Sequence, residues 1–193
     1  MDTQQDSSAL PTRPFAATQH TPNVDWSIPD WTREKPIRFW DPGRKLLASI
    51  RDYQRHQNST LLSIFLRKWA VLRHRFWSVV TGSEINLTCS IGGGLLIPHP
   101  NGIVIHPGAV IGNNCLIFQQ VTITGEITLG NHVDIGAGAK LLGPLIIEDH
   151  VLIGANAVVT KNIGTKQTVV GVPAKPLPTP TKIMQTMEEL EPL

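Results

Sequence analysis

From Ile105 to Ile163 the chain repeats every six residues without a break. The anchors are Ile105, Ile111, Ile117, Ile123, Leu129, Ile135, Leu141, Ile147, Ile153 and Val159. Four residues after each stands a second small or aliphatic residue: Ala109, Cys115, Val121, Ile127, Val133, Ala139, Leu145, Val151, Ala157 and Ile163. An α-helix has period 3.6 and a half-buried strand period 2, so neither produces this spacing. A hexapeptide parallel β-helix does, because each hexad makes one short flat face and one corner. The anchors point inward and stack on those of the coils above and below. Glycines such as Gly112, Gly130, Gly136 and Gly154 follow the anchors and suit a crowded corner.

Ile85, Ile91, Ile97 and Ile103 keep the same step but stand out of phase with the later run, since Ile103 and Ile105 are two apart. A solenoid must bulge where its phase slips, and bulges often lie beside functional sites. The segment before the slip reads Ile97-Pro98-His99-Pro100-Asn101. At about three hexads per turn the repeat predicts between four and five coils.

The rest of the chain divides around this repeat. Residues 1–35 are rich in Pro, Thr, Ser, Gln and Asp and read as mostly disordered, with Trp26 and Trp31 as possible anchors. Residues 36–82 read as a helical segment. Asp41-Pro42 is a helix start, and a first helix follows over about 42–56. Asn58-Ser59-Thr60 caps a second helix running to about Val80. Its stripe of Leu61, Ile64, Phe65, Trp69, Leu72, Phe76 and Val80 is expected to pack on the first helix or on a partner subunit. Arg67, Lys68, Arg73 and Arg75 are read on the side opposite that stripe and leave peripheral membrane contact open. Residues 83–177 are the β-helix, and 178–193 a polar tail.

Composition narrows the function. The net charge of +2 does not call for nucleic acid. The two cysteines, Cys89 and Cys115, read as small buried residues. No apolar signal segment opens the sequence, and no apolar run reaches membrane-spanning length, so the cytoplasm is the expected location.

The segments "GGGLLIPHPNGIVIHPGAVIG", "QQVTI", "IGAGAKLLG", "IGANAVV" and "GVPAK" occur in that order behind a short helical segment. Over about residues 40–177 this resembles the serine acetyltransferase-like family of left-handed β-helix O-acetyltransferases. The resemblance implies transfer of acetyl from acetyl-CoA to an acceptor hydroxyl, without a metal, in a homotrimer whose sites lie between neighbouring β-helices. It places the general base on His99. It places the base's orienting carboxylate fifteen residues earlier, on Glu84, where the family has Asp. Such a base is natural chemistry, since imidazole titrates near neutrality and a carboxylate can fix its tautomer. Donor-binding positions fall on Gly136, Ala137, Gly154, Ala155 and Lys175, the last for the CoA phosphates.

Pro98, Asn101 and His106 flank the base and are candidates for touching the acceptor. Serine acetyltransferases carry an acidic residue where Pro98 stands, and a long basic loop where Thr124-Gly125-Glu126 runs straight on. Two serine-recognising elements are therefore missing, and a sugar hydroxyl of a polysaccharide precursor is the expected acceptor, with serine as the alternative. His132 and His150 read as solvent-facing corner residues. Two rivals share the fold. A gamma-class carbonic anhydrase needs three convergent His ligands, and no His in the repeat lies five residues after another. A non-catalytic scaffold would need neither His99 at the phase slip nor the "GVPAK" segment.

Overall fold

The computed structural model describes residues 25–178. Helix α1 spans Pro42–Arg55 and α2 spans Leu61–Thr81. Both begin where the sequence indicates. Asp41 caps α1 by accepting from Arg44 N with Pro at the first turn, and Thr60 caps α2 by accepting from Ser63 N. Gly82 ends α2 in a left-handed conformation at φ 62°, the usual glycine stop.

A parallel β-helix of five coils follows. The first coil holds β1 (Glu84–Ile85) and β2 (Ser90–Ile91). The second holds β3 (Val104–Ile105), β4 (Val110–Ile111) and β5 (Leu116–Ile117). The third holds β6 (Thr122–Thr124), β7 (Ile127–Leu129) and β8 (Asp134–Ile135). The fourth holds β9 (Lys140–Leu142), β10 (Leu145–Ile147) and β11 (Leu152–Ile153). The fifth holds β12 (Val158–Val159) and β13 (Thr168–Val170), and β14 (Lys175–Pro176) folds back antiparallel on β13. Stacking gives three sheets: β1-β3-β6-β9-β12, β2-β4-β7-β10 and β5-β8-β11-β13-β14. Every anchor from Ile105 to Val159, and every second-series residue from Ala109 to Ile163, is buried. The inward positions form one continuous apolar core.

The phase slip is a change of coil length. Glu84 pairs with Val104 and Ser90 with Val110, a step of twenty, whereas Val104 pairs with Thr122, a step of eighteen. The two extra residues fall between the third and first sheets, where 98–103 do the work of 118–121 one coil later. Ile103 is buried at the place Val121 takes in the next coil, so it belongs to the second series and not to the anchors. The last coil is shorter: Leu152 pairs with Thr168, a step of sixteen.

Helix α1 closes the open end of the solenoid. Leu46, Leu47 and Ile50 are buried in the same core as the anchors. Gly43 is required by close approach, because a Cβ there would lie 2.5 Å from Ile97 O. Arg51 reaches past the helix and donates to Ile91 O at 2.7 Å and Gly92 O at 2.6 Å.

Three expectations need correction. The expected disorder does not extend over 25–35; residues 1–24 lie outside the described residues. Residues 25–34 form a strap over the corner between the second and third sheets. Asn114, itself buried, accepts from Asp30 N and donates to the carbonyls of Trp26 and Ile28. Second, His132 and His150 face solvent only in part. His132 stacks on Trp26 at 3.8 Å, its Nδ1 lies 3.1 Å from that of His150, and both are half-buried. Third, most of the stripe on α2 faces solvent in one chain instead of packing on α1, the first of its two expected partners, because the inward face carries Ala70, Trp77 and Thr81. The expected tail lies beyond residue 178, outside the described residues.

Candidate active site

His99 sits on the lengthened corner between the third and first sheets, and its side chain is exposed. Its ring lies nearly parallel to Phe118 of the next coil, with centroids 6.5 Å apart. Among the described residues it makes no hydrogen bond, so both ring nitrogens are open to a substrate. The corner itself is held firmly. Gly102 N donates to Gly82 O at 3.0 Å, Gln120 N donates to Asn101 O at 2.9 Å, and Ser83 Oγ donates to Pro100 O. Pro98 and Asn101 are exposed on the same corner.

The same corner of the following coils carries the other candidates in a column. Phe118, Gln119 and Gln120 stand above His99, then Gly136 and Ala137, then Gly154 and Ala155. The strand spacing of about 4.8 Å separates successive members. Residues 171–174 cross the top of the column, where Val158 N donates to Gly171 O and Ala174 N donates to Val158 O. Lys175 follows them, exposed, in β14. One edge of the solenoid therefore runs from an imidazole, past a low backbone ridge, to a cation.

Coil stacking already accounts for the glycines of this ridge. A Cβ on Gly136 would lie 2.6 Å from Ala155 N, and one on Gly112, at a different corner, 2.3 Å from Gly130 O. The glycines after anchors are thus explained by packing between coils. The features particular to this edge are Ala137, Ala155 and Lys175.

Among the described residues, neither Glu84 nor His106 makes a hydrogen bond to His99 within one chain. Glu84 is exposed in β1, whose preceding residues bond to the His99 corner, but its side chain shares no hydrogen bond with the imidazole. It lines a cavity of about 240 Å³ with His74, Ser78, Ser83 and Pro107, and His99 takes no part in that cavity. Burial lowers the pKa of His74 there, against the opposing effect of its 2.8 Å contact with Ile85 O. His106 lies at the next corner, across β3, where its Nδ1 accepts from Gly108 N at 3.0 Å. That bond leaves Nε2 as the protonated nitrogen of the neutral ring.

The repeat also hid parts of the site. Phe118 packs against the candidate base, and Lys140 Nζ donates to Gln120 O at 2.6 Å and Thr122 Oγ1 at 3.0 Å. Gln119 Oε1 is buried with no hydrogen-bond partner among the described residues. The step of eighteen linking Phe118, Gly136 and Gly154 was the available signal. Neither thiol competes as a nucleophile: burial raises Cys89 and pushes Cys115 up to about 11, so both stay protonated. Among the described residues no group of three or more His, Cys, Asp or Glu is placed to hold a metal.

The model of the family described as bacterial transferase hexapeptide (six repeats) matches residues 108–143. A serine acetyltransferase of a Synechocystis species is 44% identical over 147 residues, 72% of this chain and 57% of the relative. The hexapeptide repeat of this chain is serine acetyltransferase-like. A second serine acetyltransferase, from Synechococcus elongatus, is 41% identical over 105 residues, 50% of this chain and 43% of the relative. A solved serine acetyltransferase in complex with CoA superposes with a TM-score of 0.61 at 30% identity, covering 72% of this chain and 57% of that one. This serine acetyltransferase-like chain spans about half the length of the curated relatives it matches.

Proposed function

We propose that the protein is an acetyl-CoA-dependent O-acetyltransferase with His99 as its general base. The observation that carries this is the exposed His99 at the foot of the small-residue edge ending in Lys175, in a β-helix shared with serine acetyltransferases. The acceptor oxygen attacks the thioester carbonyl carbon. His99 takes the hydroxyl proton as the C–O bond forms, and the C–S bond then breaks to release CoA. Lys175 supplies positive charge for the CoA phosphates, while the small side chains at Gly136, Ala137, Gly154 and Ala155 let the pantetheine arm approach closely. Glu84 is the candidate for orienting the imidazole; the bonds that tie residues 82–84 to the His99 corner support this, although the two side chains share no hydrogen bond in one chain.

For the acceptor, the names of the relatives favour serine over the sugar hydroxyl expected from sequence. Serine is therefore the first reading. A sugar remains the second, because β6 passes to β7 through only Gly125 and Glu126, and Pro98 brings no carboxylate to the base. A small zwitterion gains most from charge-assisted bonds, which a sugar does not need. CoA release should be followed with serine, simple sugars and polysaccharide precursors. Turnover with serine is the expected result. Turnover with sugars alone would transfer the assignment to the second reading, and no release above the acceptor-free rate would remove the transferase reading.

We further infer a homotrimer, on the family's arrangement of sites between neighbouring β-helices. In a trimer a neighbouring chain supplies the opposite wall of this edge and can bring a second copy of His106 or Glu84 towards it. Light scattering should report three times the chain mass; a monomer at micromolar concentration would exclude this assembly.

A further inference from the structure

Helix α2 presents an apolar face to solvent. Phe65 is 64% exposed, Trp69 50%, Leu72 58% and Phe76 53%. At 3.6 residues per turn these four fall on one stripe, opposite the face of Ala70 and Trp77 that packs inward. Phe39, 90% exposed, and Trp40 extend the apolar surface towards Trp77, whose ring meets those of Trp40 at 5.5 Å and Phe76 at 5.0 Å. A contiguous apolar surface of this kind marks an interaction site.

Charge identifies the occupant. Residues 35–81 contain ten Lys or Arg and two Asp, a net +8, while the whole chain carries +2. The remainder of the chain is therefore net −6. Both aspartates are already used: Asp41 pairs with Arg44, and Asp52 with Arg55 and Arg73. The same helical geometry puts Lys68 and Arg75, both exposed, along one border of the aromatic stripe rather than opposite it. A second copy docked through this face would bring two strongly basic poles together, even with Arg51 neutralised by Glu34. An anionic partner gains from both features, and aromatic side chains bordered by Lys and Arg suit the headgroup boundary of a bilayer. Among the described residues no helix is long and apolar enough to cross a membrane, so the contact would lie along the surface.

We propose that the exposed face of α2 docks on the surface of an anionic lipid bilayer, with Phe65, Trp69, Leu72 and Phe76 at the headgroup boundary and Lys68 and Arg75 on the lipid charges. The orientation would keep the β-helix on the water side. The proposal does not depend on which hydroxyl is acetylated.

The test is co-sedimentation of the full chain with vesicles of phosphatidylcholine, with and without phosphatidylglycerol, over a salt series. Binding should require phosphatidylglycerol and weaken as salt rises. Lys68→Glu with Arg75→Glu should weaken it at least about 30-fold, at roughly five-fold for each basic residue removed. Phe65→Ser with Trp69→Ser should also abolish most of it. All four residues are solvent-facing, so circular dichroism and the melting temperature should stay unchanged. Failure of the unaltered chain to bind phosphatidylglycerol vesicles would overturn the proposal without any variant. So would binding that both variants leave intact, or a change of oligomeric state in the serine variant with no vesicle binding, which would assign the face to a second copy.

Discussion

Replacing His99 with Ala should lower the rate of acetyl transfer by about 10²–10⁴, the usual contribution of a positioned general base. The structure makes this a clean substitution. The imidazole is exposed and makes no hydrogen bond among the described residues, and its one ring contact is the stacking on Phe118 at 6.5 Å. The bonds that hold the corner come from Gly102, Gln120 and Ser83, not from the imidazole. Melting temperature and CoA binding should therefore match the unaltered protein. The loss should appear when CoA release is measured under saturating donor and acceptor. Glu84→Gln should cost less, because it removes charge and tautomer control while keeping a hydrogen-bonding side chain. A near-normal rate for His99→Ala, with the fold intact, would rule out His99 as the base.

Local geometry decided how much of this was legible. An aliphatic residue every sixth position has few alternatives to burial in a three-sided coil, so the anchors, the second series and both helix starts could be read directly. The phase slip was visible as well, yet its meaning was not. Sequence alone assigned Ile103 to the anchors, while the register places it with Val121 at a corner. What stayed hidden depends on contacts between distant parts of the chain. Asn114 looks like an ordinary corner residue, but it fastens a strap 84 residues away. His132 reads as solvent-facing until Trp26 is seen stacked on it. The stripe on α2 obeys the helical period whether it is covered or open, so periodicity could not say that it faces solvent. The candidate base was found through the slip and the motif. Its relation to Glu84 was not, because fifteen residues brings two segments to neighbouring coils without fixing where their side chains go.

Removal of the Glu34 carboxylate should strongly destabilise the fold away from the proposed chemistry. Glu34 is 7% exposed and joins three parts of the molecule. It accepts from Gly94 N at 2.8 Å and Leu95 N at 3.2 Å in the first coil, and it takes both arms of Arg51 from α1 at 2.8 and 3.0 Å. The short 3₁₀ helix Trp31–Glu34 thereby fixes the strap, α1 and the end of the solenoid to one another. Glu34→Ala would leave a largely buried guanidinium without its counter-charge and two buried amides without acceptors. Breaking a buried pair from one side typically costs about 3–5 kcal/mol. At roughly 2–4 °C per kcal/mol for a chain of this size, the melting temperature should fall by about 10 °C. Glu34→Gln should lose less, since its carbonyl can still accept from an amide. The double change Glu34→Ala with Arg51→Met should recover part of the loss, because the stranded charge goes while apolar bulk remains. A loss under about 1 kcal/mol for Glu34→Ala would mean that water replaces the carboxylate at low cost, and that α1 is held to the first coil by Leu46, Leu47 and Ile50 rather than by this ion pair.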